Sequence, residues 1–110
     1  MSTLKELTPT MLARFTQVDY DREMALIAVI PEGGGEREIG VCRYTINPDG
    51  VSCEFAVVIA QDWQGRGLGR HLMMRLIEIA RSRGLATMRG DILAANSGML
   101  DLVLRLGFTL

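Results

Sequence analysis

Hydrophobic residues follow the spacing of strands in the first half of the chain and the spacing of helices in the second half. Apolar runs rich in β-branched residues predict strands over residues 23–30, 37–46 and 51–60. Two turn sequences separate these strands, namely three glycines that begin at Gly33 and the Asn-Pro-Asp-Gly run 47–50. Because both connections are short, we expect the three strands to form an antiparallel meander.

The second half of the chain has the pattern of helices alternating with short strands. An amphipathic repeat predicts a helix over residues 69–83, and Gly84 suits the position just after its end. Residues 87–93 predict a strand, which would pair in parallel with the third strand because one helix links the two. A second helix is expected over residues 96–105, and residues 108–110 have the pattern of another strand that begins there.

The segment that precedes the first strand has helical features. Thr8 can cap a helix, Pro9 suits the first helical position, and the apolar residues that follow share one face. We therefore expect a short helix over residues 7–17 and a polar connector over residues 19–22.

Composition and charge limit the kinds of protein this can be. The 110 residues suit one small domain, and 48% of them are hydrophobic, so the chain can bury a core. A formal net charge of -1 argues against a dedicated nucleic-acid binder. The longest apolar run, residues 24–30, is too short to span a membrane, and no secretory leader pattern opens the chain. We expect a cytoplasmic protein in which Cys42 and Cys53, which lack metal-ligand spacing, stay reduced and hold no metal.

A glycine-rich run stands between the third strand and the first long helix. Residues 64–69 read Gln-Gly-Arg-Gly-Leu-Gly. Glycines let the backbone approach a ligand closely, and the first amides of a helix favour a phosphate. The spacing is neither that of a dinucleotide fold nor that of a P-loop, since no Gly-Lys-Ser/Thr follows. The run predicts a site for a phosphorylated cofactor; the alternative is a loop that only connects a strand to a helix.

The run Gln-x-x-Gly-x-Gly resembles the acetyl-CoA signature of the GNAT superfamily of N-acetyltransferases. Asn96 and the sequence Leu-Gly-Phe at 106–108 resemble the second conserved block of that family. The sequence of residues 8–22 and 53–58 is similar to that of the C-terminal acetyltransferase domain of bacterial Pat-type protein-lysine acetyltransferases. The resemblance implies an α/β (α+β) fold, with an antiparallel meander, parallel splayed strands and flanking helices in one mixed sheet.

The family pattern extends beyond the elements found in this sequence. Members usually have a strand and a helix before the region where residue 1 stands, and two final strands after it. We therefore expect residues 1–110 to be a single domain that is truncated at both ends, a fragment of a longer chain. Sheet edges left without a partner would lower its stability or promote a homodimer through an exposed edge.

The resemblance also implies how acetyl-CoA would be held. The backbone amides of residues 64–69 would bind the pyrophosphate, the Gln64 side chain would add a hydrogen bond, and Arg66 and Arg70 would add positive charge. The pantetheine arm would pair with the end of the third strand. Asn96 would contact that arm, cap the second helix, or do both. The cofactor residues implied are Val57, Val58, Ile59, Gln64, Gly65, Arg66, Gly67, Leu68, Gly69, Arg70 and Asn96.

Glu54 is the candidate general base, since it matches the glutamate proposed for that role in Pat-type domains. Its neighbours in sequence are apolar, so we expect burial to raise its pKa; the alternative is a surface glutamate. His71, the one histidine, is a rival expected to be solvated, and Asp91 is a weaker rival. Val103 stands where many relatives carry the tyrosine that protonates the leaving thiolate.

The resemblance implies an enzyme that transfers acetyl from acetyl-CoA to a lysine of a protein substrate, with acyl-CoA synthetases among the candidate acceptors. Two alternatives stay open. One is a small-molecule amine acetyltransferase, and the other is a regulatory module that senses acetyl-CoA without catalysis.

Overall fold

A computed structural model describes residues 14–91 and 97–109. Five strands, a 3₁₀ turn and two helices account for most of this part of the chain. In chain order they are β1 (Arg14–Asp19), β2 (Glu23–Glu32), β3 (Gly35–Ile46), β4 (Ser52–Ile59), the 3₁₀ turn (Gln61–Trp63), α1 (Leu68–Ser82), β5 (Thr87–Arg89) and α2 (Ser97–Arg105).

The described strands form one mixed sheet in the order β1-β2-β3-β4-β5. Neighbours from β1 to β4 are antiparallel, whereas β4 and β5 are parallel. The meander of β2, β3 and β4 and the parallel pair across α1 are therefore confirmed, as is the mixed α/β architecture. Within the described sheet, β1 and β5 are the two edges, and pairing of two copies through an exposed edge stays a prediction.

The core lies between the sheet and α1. Alternate residues of β4 point to this side, so Cys53 and Phe55 are buried while Glu54 between them is exposed. Burying the apolar stripe of α1 against this face is what stabilises the helix. The core residues are Met24, Leu26, Ala28, Ile39, Cys42, Tyr44, Cys53, Phe55, Trp63, Leu68, Leu72, Met73, Leu76, Ala80 and Val103.

Gly40 brings the first turns of α1 close to the sheet. A Cβ atom at this position would lie 3.0 Å from Leu72 Cδ1, 3.1 Å from Ile59 Cδ1 and 3.2 Å from Leu68 Cδ2. Since these separations are tighter than ordinary van der Waals contact, a side chain at residue 40 would require the ends of Leu68, Leu72 and Ile59 to shift.

Both cysteines are free and buried, as expected of reduced structural thiols. Cys42 Sγ donates to the Leu72 carbonyl oxygen at 3.5 Å, and burial raises the pKa of the Cys42 thiol to about 12. These thiols are therefore poor nucleophiles at neutral pH.

The helix expected over residues 7–17 is wrong where it can be compared. Residues 14–17 belong to β1, which pairs with β2 over its whole length, and residues 7–13 lie outside the described residues. The helical spacing of apolar residues reflects only a local preference, whereas β2 provides a hydrogen-bonding partner strand along all of β1. Long-range pairing of this kind overrides a weak local preference.

The strand expected over residues 87–93 is shorter than predicted. β5 ends at Arg89, and residues 92–93 lie outside the described residues. A Cβ atom at Gly90 would fall 2.4 Å from the Phe55 ring, so the chain passes this ring without room for a side chain. Residues 108–109 are not a strand; the Phe108 ring instead lies 5.2 Å from the Phe55 ring, centroid to centroid.

Candidate active site

The carboxyl half of β4 runs along an open cleft. Among the described residues, β5 pairs with β4 only from Ser52 to Glu54, and that pairing ends before Phe55. Beyond it, the end of β4, the glycine-rich run and α2 enclose a cleft of about 540 Å³. A strand that loses its partner in this way can take an extended ligand along its edge.

The glycine-rich run turns the chain sharply from the 3₁₀ turn into α1. Gly65 and Gly67 have φ angles of 77° and 86°, in the left-handed region that glycine adopts without strain. Gly67 is the N-cap of α1, and no side chain caps the helix. The first amides of α1 therefore keep their donor capacity at the edge of the cleft, where the helix dipole favours an anion.

Most of the predicted cofactor residues come together around this cleft. Asn96 lies outside the described residues. Arg66 and Leu68 do not line the cleft, whereas the other predicted residues do. They are Val57, Val58, Ile59, Gln64, Gly65, Gly67, Gly69 and Arg70.

Three of the predicted residues have contacts within the protein that account for their positions. The Arg66 guanidinium carbon lies 4.7 Å from the centroid of the Trp63 ring, which is a cation–π contact. Leu68 is buried in the core. Gln64 lines the cleft but donates its side-chain Nε2 to the Ile59 carbonyl oxygen at 3.1 Å, so its amide group ties the run to β4.

One wall of the cleft comes from α2. The sequence pattern predicted this helix but not its place in the cleft. Residues 98, 101, 102 and 105 fall on one face of this helix, and that spacing was the available signal. Arg105 adds a second guanidinium to that of Arg70, while Asp101 adds one carboxylate. The further lining residues are Trp63, Gly98, Met99, Asp101, Leu102, Arg105 and Leu106.

Glu54 is exposed on the outer face of the sheet, away from α1. Its apolar neighbours in sequence led us to expect that Glu54 is buried, and that expectation is wrong. Residues next to each other in a strand point to opposite faces, so Cys53 and Phe55 enter the core on the other side. In register, Glu54 lies between Thr45 of β3 and Arg89 of β5, both of which are also exposed. Its role as general base stays a prediction.

The rival titratable groups lie elsewhere. His71 is half-buried on α1, which differs from the solvated position expected, and it does not line the cleft. Burial lowers the pKa of His71, Arg75 lowers it further, and Glu78 opposes these effects. Asp91 is exposed beyond the end of β5. The rival roles of His71 and Asp91 stay untested, as does that of Glu54.

Val103 is 4% exposed and packs in the core, so this position offers no proton to a leaving group. In the part of the chain that the structure describes, no three metal-ligating side chains cluster. Neither α1 nor α2 is long and apolar enough to cross a membrane.

This chain resembles a protein family and curated proteins from Pseudomonas species. The model of the Acetyltransferase (GNAT) family matches residues 4–108. Acetyltransferase PA5475 of Pseudomonas aeruginosa is 41% identical over 108 residues, which are 98% of this chain and 58% of that protein. The L-methionine sulfoximine/L-methionine sulfone acetyltransferase of Pseudomonas paraeruginosa is 42% identical over 55 residues, which are 50% of this chain and 32% of that protein.

A solved structure shares the arrangement of strands and helices. The GNAT domain of S. lividans PAT superposes with a TM-score of 0.69 at 29% identity, covering 87% of this chain and 57% of that one. The chain spans 58% of the length of PA5475 and a smaller share of the second curated relative. The sheet, the glycine-rich run before α1 and the family match agree, and the chain belongs to the acetyltransferase (GNAT) family.

Proposed function

We propose that this chain transfers acetyl from acetyl-CoA to a primary amine, and that the acceptor is a lysine side chain of a protein. The observation that carries the proposal is a single cleft of about 540 Å³ that joins the glycine-rich run to the open edge of β4. A phosphorylated head and an extended arm are what such a cleft would accommodate.

The charges and backbone of the cleft fit that ligand. Two guanidinium groups, of Arg70 and Arg105, and one carboxylate, of Asp101, line it, so its formal charge is positive. The amides at the start of α1 would bind the pyrophosphate, and the backbone of Val57–Ile59 would pair with the arm. Bound acetyl-CoA supplies the acetyl group as a thioester, which is already reactive enough for a neutral amine to attack.

The chemistry left to the protein is to remove a proton from the acceptor. A lysine amine has a pKa of about 10.4, so it is nearly all protonated near neutral pH and is not nucleophilic. The Glu54 carboxylate would accept one proton from the ammonium. The neutral amine would then attack the thioester carbonyl, and the amide would form as the C–S bond breaks and the nitrogen gives its second proton to water. Because Val103 offers no proton, the thiolate would leave unassisted or be protonated by water.

The surroundings of Glu54 support a protein acceptor. Thr45, Ala56 and Arg89 around it are exposed, and Val58 farther along β4 is 69% exposed. A side chain that projects from a folded protein can reach such an open surface, and resemblance to the S. lividans PAT domain points the same way.

A second candidate acceptor is the amine of a free amino acid. Arg89 lies beside Glu54 in register, and Arg43 lies beside Ala56 on the same exposed face. Guanidinium groups bind carboxylates through paired hydrogen bonds, so an amino acid could be held with its amine near Glu54. The relative named for L-methionine sulfoximine and L-methionine sulfone favours the same class.

The first experiment is a titration with acetyl-CoA followed by the fluorescence of Trp63, the one tryptophan, which lines the cleft. We expect saturable binding that CoA competes away and phosphate alone does not. Mass spectrometry of a lysine-containing peptide and of an amino-acid panel would then identify the acceptor. Binding without transfer to any acceptor would support the non-catalytic sensing alternative, and no binding by the folded chain would contradict the proposal.

A further inference from the structure

A bidentate ion pair ties β3 to the 3₁₀ turn that precedes the glycine-rich run. Arg37 Nη1 donates to Asp62 Oδ2 at 2.8 Å, and Arg37 Nη2 donates to Asp62 Oδ1 at 2.6 Å. The two residues are 25 positions apart in the chain, and Glu32 Oε2 lies 3.6 Å from Arg37 Nη1. Paired hydrogen bonds of this kind fix orientation as well as distance, which a single contact does not.

The 3₁₀ turn directly precedes the glycine-rich run and fixes the position at which the run begins. Trp63 at its end is 5% exposed, and the amide of Ala60 before it donates to the Ile39 carbonyl at 2.9 Å. Gly65 and Gly67 have no side chains that could contact the rest of the protein. The position of the run is therefore set by contacts made before it begins, together with the hydrogen bond from Gln64 to Ile59 and the contact of Arg66 with Trp63.

Asp62 also carries a negative charge, two residues before the glycine-rich run that is predicted to bind phosphate. Its pKa is lowered chiefly by the hydrogen bonds from Arg37, with a smaller contribution from the charge of Arg66, so it stays ionised. Arg66 lies within the run itself, two residues before α1 begins at Leu68. Without Arg37, the carboxylate would repel the phosphates of a ligand bound there.

We propose that Arg37 and Asp62 form a positioning pair for the glycine-rich run. The pair holds the 3₁₀ turn in place and neutralises the carboxylate that precedes the run, so it sets the affinity for acetyl-CoA without touching the ligand. This inference rests on the proposed function for its ligand.

The test compares variants of this pair with a matched pair that joins β1 to the end of α1. There Arg83 Nη2 donates to Asp19 Oδ1 at 2.5 Å, in an ion pair of similar exposure. Arg37→Ala should raise the Kd of acetyl-CoA about fivefold, because it leaves a charge unpaired, and Asp62→Asn should raise it about twofold. The exchanged pair Arg37→Asp with Asp62→Arg should restore part of the affinity. Asp19→Asn should leave the Kd unchanged. Because both ion pairs are exposed, substitutions in either pair should change the melting temperature little.

Turnover and hydrogen exchange separate positioning from a general loss of structure. Arg37→Ala should raise KM for acetyl-CoA while kcat stays near that of the parent, and it should speed exchange of the amides of residues 62–67 in the free protein. The exchange readout needs no ligand, so it tests the pair even if the parent binds no acetyl-CoA. An unchanged Kd, an equal effect of Asp19→Asn, or unchanged exchange at residues 62–67 would each overturn the inference.

Discussion

The two faces of β4 differ in burial, and the proposed general base lies on the exposed face. On the inner face, Cys53 and Phe55 are 0% and 7% exposed beneath α1. On the outer face, Glu54 and Ala56 are exposed, and Val58 faces solvent beside the predicted cofactor cleft. Adjacent residues therefore have different physical roles, and substitutions along the strand should alternate between loss of stability and loss of activity.

The largest effect is expected from the inner face. Phe55→Ala would remove a ring that packs against Phe108 and the backbone at Gly90, and it should lower the free energy of unfolding by about 3–5 kcal/mol. Urea denaturation measures this loss. Phe55→Leu should cost less, under about 1.5 kcal/mol, because most of the volume is kept. Equal stability of the parent and the alanine variant would show that the inner face is not the packed core described above.

The outer face should show the opposite behaviour. Glu54→Gln keeps the shape of the side chain but removes the base, so kcat should fall about 100-fold while acetyl-CoA still binds. The free energy of unfolding should change by less than about 0.5 kcal/mol, since the side chain is exposed. Glu23→Gln, at another exposed glutamate, is the control and should leave kcat unchanged. Parental turnover in Glu54→Gln would remove Glu54 from the mechanism.

An intermediate effect is expected where the chain leaves β4 for the glycine-rich run. Gly65→Ala places a side chain at a φ of 77° without any clash, so it should cost about 1–2 kcal/mol of stability through the backbone alone. Gly50→Ala, at a φ of 74° in the turn between β3 and β4, should cost the same. The Kd of acetyl-CoA, measured by Trp63 fluorescence, should rise only for Gly65→Ala. A similar rise in both variants would contradict a direct role for the run.

The smallest expected effect is on the pH dependence of stability, and it comes from His71 on α1, the helix that packs on the inner face. Burial lowers the pKa of His71 below its ordinary value of 6.5, so the unfolded chain binds a proton more readily than the folded one. The contribution to stability is complete above pH 6.5 and is lost as the pH falls through the folded pKa. In His71→Gln, urea denaturation at about pH 7.5 and about pH 5.5 should show a smaller difference in stability than in the parent. An identical difference would mean that other groups carry it.

Local patterns were enough to predict the middle of the molecule. The bounds predicted for β2, β3, β4 and α1 from apolar spacing and turn residues differ from the observed ones by at most two residues. The run from Gln64 to Gly69 is contiguous, so its placement needed no tertiary information. The same holds for Gly84, whose φ of 80° ends α1 as expected.

What escaped prediction depends on contacts between distant residues. β1 exists because β2 pairs with it, β5 ends where Gly90 meets Phe55, and α2 completes the cleft from a distant part of the chain. The exposure of Glu54 was predictable in principle from strand alternation, but its apolar neighbours were misread as its surroundings. The ion pair between Arg37 and Asp62 has no local signal, since 25 residues separate its partners.

The absence of a side chain at Gly40 lets α1 pack closely against the sheet. Leu68 and Leu72, which meet the space above Gly40, belong to the first turns of the helix whose amides face the cleft. A methyl group at position 40 would fit only if the ends of Leu68, Leu72 and Ile59 gave way by a few tenths of an ångström. Because Ile59 also lines the ligand cleft, a substitution at Gly40 would be felt in the cleft through the Ile59 side chain, although Gly40 is not among the lining residues.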